Sequence, residues 1–227
     1  TTLNLDANGI ALLPSSTATA TDNCTSSPTI SYSQSTFSCA DLGSNTVTVT
    51  ATDASGNTST STITVTVQDN TAPSITALSV ISDVALNSSG TATIGVNDVV
   101  SSASDNCGSP TITISPSTFT CSELGSNTVT ITATDAAGNS ASTQVTVTVV
   151  DNTAPSITTI SGAVTVTLDA SGAATITSSD VVSSTSDNCT SAPTVTITPS
   201  TFGCSDLGSN AVTITATDAS GNVSTAT

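Results

Sequence analysis

The stretch GSNTVTITATDAAGNSASTQVTVTVVDNTAPSI, Gly125 to Ile157, constrains this chain more than any single motif, because it recurs. It stands upstream as GSNTVTVTATDASGNTSTSTITVTVQDNTAPSI from Gly43 to Ile75. It begins again as GSNAVTITATDASGN from Gly208 to Asn222. Asp53, Asp135 and Asp218 mark the period at offsets of 82 and 83 residues. That is the size of a small independent domain rather than of a solenoid unit, so each copy can bury a core of its own. Three copies follow, over 1–70, 71–152 and 153–227.

Within a copy the pattern is that of strands. Thr46–Asp53 alternates, with Val47, Val49 and Ala51 on one side and Thr48, Thr50 and Thr52 on the other; Ile63, Val65 and Val67 repeat the pattern. Period two with β-branched residues on both faces predicts half-buried antiparallel strands. Threonine on the wet face keeps β-propensity without adding charge. Asp53-Ala54-Ser55-Gly56-Asn57 reads as the hairpin turn between the two strands, with Gly56 free to take a positive φ. Thr29–Ser33 reads as a further strand. No segment has a 3.6-residue period, and the expected fold is all-β.

With no Trp, no Met, one Tyr and three Phe, the core must be Val, Ile, Leu and Ala. Phe37, Phe119 and Phe202, each two residues before a cysteine, read as core anchors rather than as sugar-stacking platforms.

The chain has no Lys, Arg or His, and its 16 acidic residues give a formal charge of −16. It can form no side-chain salt bridge and no phosphate clamp, and it would be repelled by nucleic acid and by anionic membrane surfaces. A catalytic reading is weak for the same reason: no imidazole or amine base exists, and a carboxylate-pair glycosidase would need one asymmetric site from near-identical units. The natural partner for unpaired carboxylates is a hard divalent cation such as calcium.

Six cysteines sit one pair per copy: Cys24 and Cys39, Cys107 and Cys121, Cys189 and Cys204. Repeat-locked pairs predict three disulfides within repeats, and with them an oxidising, extracellular compartment. Two thiols per unit without histidine make only half a zinc site. Closing a loop of about 15 residues would add roughly 3 kcal/mol per copy in the chain-entropy model.

LDANG at Leu5–Gly9 matches LDASG at Leu168–Gly172, so the first copy starts without an opening strand. The third stops before a counterpart of Val145–Val149. The 227 residues read as a window on a longer protein, and the frayed ends also admit strand donation between copies. The linkers Asp69-Asn70-Thr71-Ala72-Pro73 and Asp151-Asn152-Thr153-Ala154-Pro155 are short and stiffened by proline.

In a seven-strand sandwich the entering linker, the loop after the second strand and the last hairpin turn share one end. That brings Asp69, Asp105 and Asp135 together at one junction and Asp151, Asp187 and Asp218 at the next. Asn70, Asn106, Asn139, Asn152, Asn188 and Asn222 are neighbouring oxygen donors, and Asp22 and Asp53 are the matching pair in the first copy. Converging carboxylates without a cationic side chain repel one another unless a metal joins them, and calcium accepts six to eight mixed oxygens. The competing reading is that these Asp and Asn residues merely form turns.

ATDASGN followed by a VTVTV strand and VVDNTAP, with DNC earlier in each copy, resembles the immunoglobulin-like and hyalin-type repeats of secreted bacterial surface proteins. Such arrays occur in the giant cell-surface adhesins of Bacteroidetes, gliding-motility adhesins among them. The DNTAP linker is similar to the calcium-binding linker of cadherins. The resemblance spans nearly the whole chain and implies a tandem array of Ig-like β-sandwich domains, surface export, structural calcium and an adhesive or spacer role. Partners would be neighbouring repeats and an extracellular surface or polysaccharide. Many repeats of that family carry a further cysteine after the GN turn, where Ser61, Thr143 and Thr225 stand here. An accessory region of a secreted polysaccharide-degrading enzyme is the alternative, although almost no aromatic platform is present to bind sugar.

Overall fold

A computed structural model describes residues 1–227. The first copy holds β1 (Thr2–Asn4), β2 (Ile10–Leu12), β3 (Thr29–Tyr32), β4 (Thr36–Ser38), β5 (Gly43–Thr52) and β6 (Thr58–Gln68). The second holds β7 (Ser74–Ala77), β8 (Val84–Ala85), β9 (Thr91–Thr93), β10 (Val100–Ser104), β11 (Thr111–Ser115), β12 (Thr118–Thr120), β13 (Gly125–Thr134) and β14 (Ser140–Val150). The third holds β15 (Ser156–Thr159), β16 (Ala173–Thr175), the one-turn helix α1 (Ser178–Val181), β17 (Val182–Ser186), β18 (Thr194–Thr198), β19 (Thr201–Gly203), β20 (Thr213–Thr217) and β21 (Val223–Ala226). The protein is an all-β array of immunoglobulin-like β-sandwich repeats.

The chain divides into two compact units, Thr1–Ser79 with Val99–Ser115 and Thr130–Val145, and Val80–Asp98 with Pro116–Val129 and Thr146–Thr227. In the first, β1, β6, β5 and β3 form a four-stranded sheet in that order, β2 pairs with β4, and β7 pairs with β10. The β5–β6 hairpin is in register from Gly43↔Val67 to Thr52↔Thr58. Its turn is as expected: Gly56 has φ 87°, and the Asn57 amide donates to Asp53 Oδ1 at 2.7 Å. The core beneath gathers Leu3, Leu5, Ala11, Leu13, Phe37, Val47, Val65 and Val67, with Tyr32, Ile63, Cys39 and Cys107 packed against it. Phe37 is fully buried, as the position before the second cysteine predicts. Each buried Val or Leu contributes roughly 1.5–3 kcal/mol, which is how a core almost free of aromatic residues holds.

In the second unit β9 pairs with β12, β8 with the end of β14, β15 with β17, β16 with β19, and β18, β20 and β21 form a three-stranded sheet. Phe119 is again buried, whereas Phe202 is half-buried.

The cysteine pairing differs from expectation. Cys39 bonds Cys107 and Cys121 bonds Cys189, each with Cα atoms 5.3 Å apart, and Cys24 and Cys204 are free and exposed. The bonds join successive repeats, not cysteines of one repeat. The reason is the length of β5. Cys24 lies by the turn end of the hairpin, where the Ala54 amide donates to Thr25 Oγ1 at 3.1 Å. Cys39 opens a 3-10 turn, Cys39–Asp41, that leads straight into Gly43 at the other end of the strand. A ten-residue strand separates those ends by about 30 Å, and a disulfide needs Cα atoms within about 7 Å.

Candidate metal centre

Three segments distant in sequence meet within the first unit: the linker after β6, the loop after β10 and the turn after β13. One carboxylate oxygen each from Asp69, Asp105 and Asp135 lies within 4.8 Å of the others. In the second unit Asp151, Asp187 and Asp218 make the same group.

Each carboxylate is aimed by local structure. The Thr71 amide donates to Asp69 Oδ1 at 3.0 Å, a turn set up by the linker itself. The Cys107 amide donates to Asp105 Oδ2 at 2.9 Å. Asn139 holds both oxygens of Asp135, from its backbone to Oδ1 at 2.8 Å and from Nδ2 to Oδ2 at 2.7 Å. The same Nδ2 donates to the Asp69 carbonyl at 3.1 Å, fastening the turn to the linker. Asn106 Nδ2 donates to Asp69 Oδ1 at 3.2 Å and to the Asp6 carbonyl at 3.0 Å. The second group repeats these bonds. Thr153 donates to Asp151, Cys189 and Thr190 to Asp187, Asn188 to Asp151 and to the Asn87 carbonyl, and Asn222 to Asp218 and to the Asp151 carbonyl.

What those bonds leave over is informative. Asp69 Oδ2, Asp105 Oδ1 and Asn106 Oδ1 are buried without a hydrogen-bond partner, and so are Asp151 Oδ2, Asp187 Oδ1 and Asn188 Oδ1. Asp69 and Asp151 are each only 5% exposed. A buried, unpaired carboxylate oxygen is costly, and this chain has no cationic side chain to answer it. Two oxygens on opposite sides of one calcium ion stand about 4.8 Å apart, at about 2.4 Å from the metal. The residues fit a hard cation of that size. Burial raises the Asp135 carboxyl, but the bonds from Asn139 and from the Gly138 and Ala137 amides outweigh it and leave the pKa below the ordinary carboxylate value. Asp218 is lowered likewise against its burial, chiefly by Asn222.

The asparagines divide by role. Asn106 and Asn188 keep a free Oδ1 at the cluster, while Asn139 and Asn222 spend their side-chain amides as clamps. Asn70 is exposed and donates to Asn4 Oδ1 at 3.0 Å, and Asn152 is exposed too. In the first copy Asp22 accepts from the Cys24 and Thr25 amides and Asp53 from Asn57, the same local geometry as at the two groups.

The Asp6–Gly9 and Asn87–Gly90 turns cap the junctions, each through the carbonyl of its first residue. A Cβ on Gly9 would lie 2.7 Å from the Asn106 carbonyl and 2.7 Å from Cys39 Sγ; on Gly90, 2.8 Å from the Asn188 carbonyl and 2.7 Å from Cys121 Sγ. The recurring glycine at Gly9, Gly90 and Gly172 is the signal that could have shown them.

No known protein family matches the sequence, and comparison with curated proteins finds no match. Among solved structures the chain is similar to protocadherin gammaB7 EC3-6 (17% identity, 98% of this chain and 61% of that one, TM-score 0.35). It is also similar to fibronectin(III)-like modules of Clostridium thermocellum CbhA (13% identity, 66% and 90%, TM-score 0.27) and to the human desmocollin-1 ectodomain (14% identity, 81% and 43%, TM-score 0.24). Likeness at this level says nothing about function. No helix is long and apolar enough to cross a membrane.

Proposed function

We propose that this chain is a non-catalytic, structural and adhesive repeat region of a large extracellular surface adhesin, with domains over 1–70, 71–152 and 153–227 and calcium at each junction. The observation that carries the metal reading is the set of buried, partnerless oxygens on Asp69, Asp105 and Asn106, repeated on Asp151, Asp187 and Asn188. With one oxygen from Asp135 or Asp218, each junction offers four side-chain ligands, and main-chain carbonyls and water would complete the shell. The ion would neutralise the converging carboxylates and bind linker, loop and turn into one body. Beside it, the disulfide ties the same two repeats covalently. A junction held twice over resists bending, as a stalk that carries an attachment surface away from a cell must, whether for surface attachment or for gliding. A chain without Lys or Arg also offers no site to trypsin-like proteases, in keeping with life outside the cell.

Calorimetric titration with calcium, followed by thermal unfolding in calcium and in chelator, tests the reading. Calcium at about a hundred times its Kd should stabilise each site by roughly 2.7 kcal/mol. Asp105→Asn should weaken only one class of site, while Asp83→Asn, away from both, should change nothing. No heat of binding and one unfolding temperature in both conditions would return these residues to the status of turn formers and end the calcium reading.

A further inference from the structure

Two of the oxygens left without a partner at the first junction belong to Asp105 and Asn106, which immediately precede Cys107, and Cys107 is bonded to Cys39. The Cys107 amide donates to Asp105 Oδ2 at 2.9 Å and leaves Oδ1 free. The Asn106 carbonyl lies 3.4 Å from Cys39 Sγ. Besides the disulfide, the bond from Asn106 Nδ2 to the Asp6 carbonyl, 3.0 Å, fastens this loop to the Asp6–Gly9 turn. The second junction is built alike. Asp187 and Asn188 precede Cys189, which is bonded to Cys121, and the Cys189 amide donates to Asp187 Oδ2 at 3.0 Å. The Asn188 carbonyl lies 3.4 Å from Cys121 Sγ, and Asn188 Nδ2 donates to the Asn87 carbonyl at 3.0 Å.

The remaining ligands are aimed differently. Asn139 holds both Asp135 oxygens and the Asp69 carbonyl, and the Thr71 amide holds Asp69 Oδ1. Linker and turn thus keep their places through hydrogen bonds alone. The Asp-Asn-Cys loop carries one more carboxylate towards them, against the repulsion of like charges. No Lys, Arg or His in the chain offsets that repulsion. The disulfide is the strongest restraint on the loop before an ion binds.

We infer, building on the calcium reading, that each junction disulfide sets the calcium affinity of the site beside it, and that bound calcium in turn protects that disulfide from reduction. With the bond closed, the ion meets ligands already gathered. With it open, Asp105 and Asn106 swing away together on their loop, and the ion must collect them first. Restraints of this kind behind metal ligands are worth about 10–100-fold in affinity. The effect is mutual: the factor that the bond adds to calcium affinity is the factor by which saturating calcium disfavours its reduction. Opening the bond takes a dithiol reductant. One of its thiolates attacks a cysteine sulfur and expels the other cysteine as a thiolate. Its second thiol then attacks the mixed disulfide, frees the remaining cysteine and closes into a cyclic disulfide. The protein gains two electrons and two protons, and the reductant loses them.

The test uses the full chain carrying Cys24→Ser and Cys204→Ser, which removes the two exposed thiols. Calorimetric titration with calcium compares it with a version that also carries Cys39→Ser and Cys107→Ser. In that version one site should bind about tenfold more weakly, while the other keeps its affinity and reports a folded chain. Equilibration with dithiothreitol, with and without calcium, reads the reciprocal effect after alkylation, cleavage at acidic residues and mass mapping. It changes neither disulfide, so it stands whatever the stability of the serine version. Saturating calcium should move the midpoint of both disulfides more negative, by about 30 mV for each tenfold in affinity. Asp105→Asn should shrink that shift for Cys39–Cys107 and leave it at Cys121–Cys189. Two sites of unchanged affinity in the serine version, or midpoints that calcium does not move although it binds, would overturn the inference and leave the calcium reading standing. No heat of binding with both disulfides closed would overturn the calcium reading itself, and the inference with it.

Discussion

Gly43–Val47 and Gly208–Val212 differ only by Thr46 against Ala211, yet the first is the opening half of β5 and the second is not strand. Local propensity cannot explain the contrast. The difference is the partner. Residues 43–47 lie opposite Ile63–Val67 of β6, whereas the β20–β21 pairing stops at Ile214↔Ala226 and does not reach 208–212. The loss spreads across the sheet. Leu3 and Val84 are buried beside their closing strands, while their counterpart Val166 is 41% exposed. Val164, Val166, Phe202, Leu207 and Ile214 instead line an open groove. A strand of this composition exists only where a neighbour takes up its backbone groups.

The sharpest way to break the contrast is to give 208–212 such a neighbour. Adding the sequence of Val145–Asn152 after Thr227 should turn 208–212 into strand and bury Val164 and Val166. The gain should be about 5 kcal/mol for the valines on both sides, read as slowed amide exchange at 208–212 and a higher urea midpoint. Next in size is the junction disulfide. Cys39→Ser with Cys107→Ser should cost about 4 kcal/mol in the chain-entropy model for a loop of this length, read by denaturant unfolding. Cys24→Ser should be neutral. The two phenylalanine environments offer a finer comparison. Phe37→Ala, in the closed core, should cost about 3–5 kcal/mol, and Phe202→Ala, at the open groove, about half as much. The added strand should bring the second value up towards the first.

The smallest effect is in acid. Asp41 is held below the ordinary carboxylate value by the Gln34 side chain and the Ser38 amide, and Glu123 by the Ser122 and Thr120 side chains and the Thr120 amide. A carboxyl with a lowered folded pKa stabilises above its unfolded value and loses that contribution as pH falls through the folded one. The 3-10 turns at Cys39–Asp41 and Cys121–Glu123 should therefore loosen as the pH falls below about 4. Asp41→Asn with Glu123→Gln should flatten the acid limb of a stability-versus-pH curve by a small amount, since both groups face solvent.

Much of this architecture follows from the chain read alone. The period of Asp53, Asp135 and Asp218 gave the repeats, because identical segments must fold alike when their surroundings match. The alternation of Val47, Val49, Val65 and Val67 gave the strands, and Gly56 the turn, since each depends on residues within a few positions. The absence of any Lys, Arg or His made converging carboxylates stand out before any coordinate was known. Cysteine pairing could not be read this way. Cys24 and Cys39 are neighbours in sequence but lie at opposite ends of a ten-residue strand, and only the stacking of one repeat on the next brings Cys39 to Cys107. The roles of the asparagines were equally hidden: Asn106 keeps an oxygen free and Asn139 becomes a clamp because of which carbonyls their amides meet across the fold. Local periodicity governs what is strand and what is turn, while contacts between residues far apart in the chain decide which cysteine finds which partner and which oxygen is left without one.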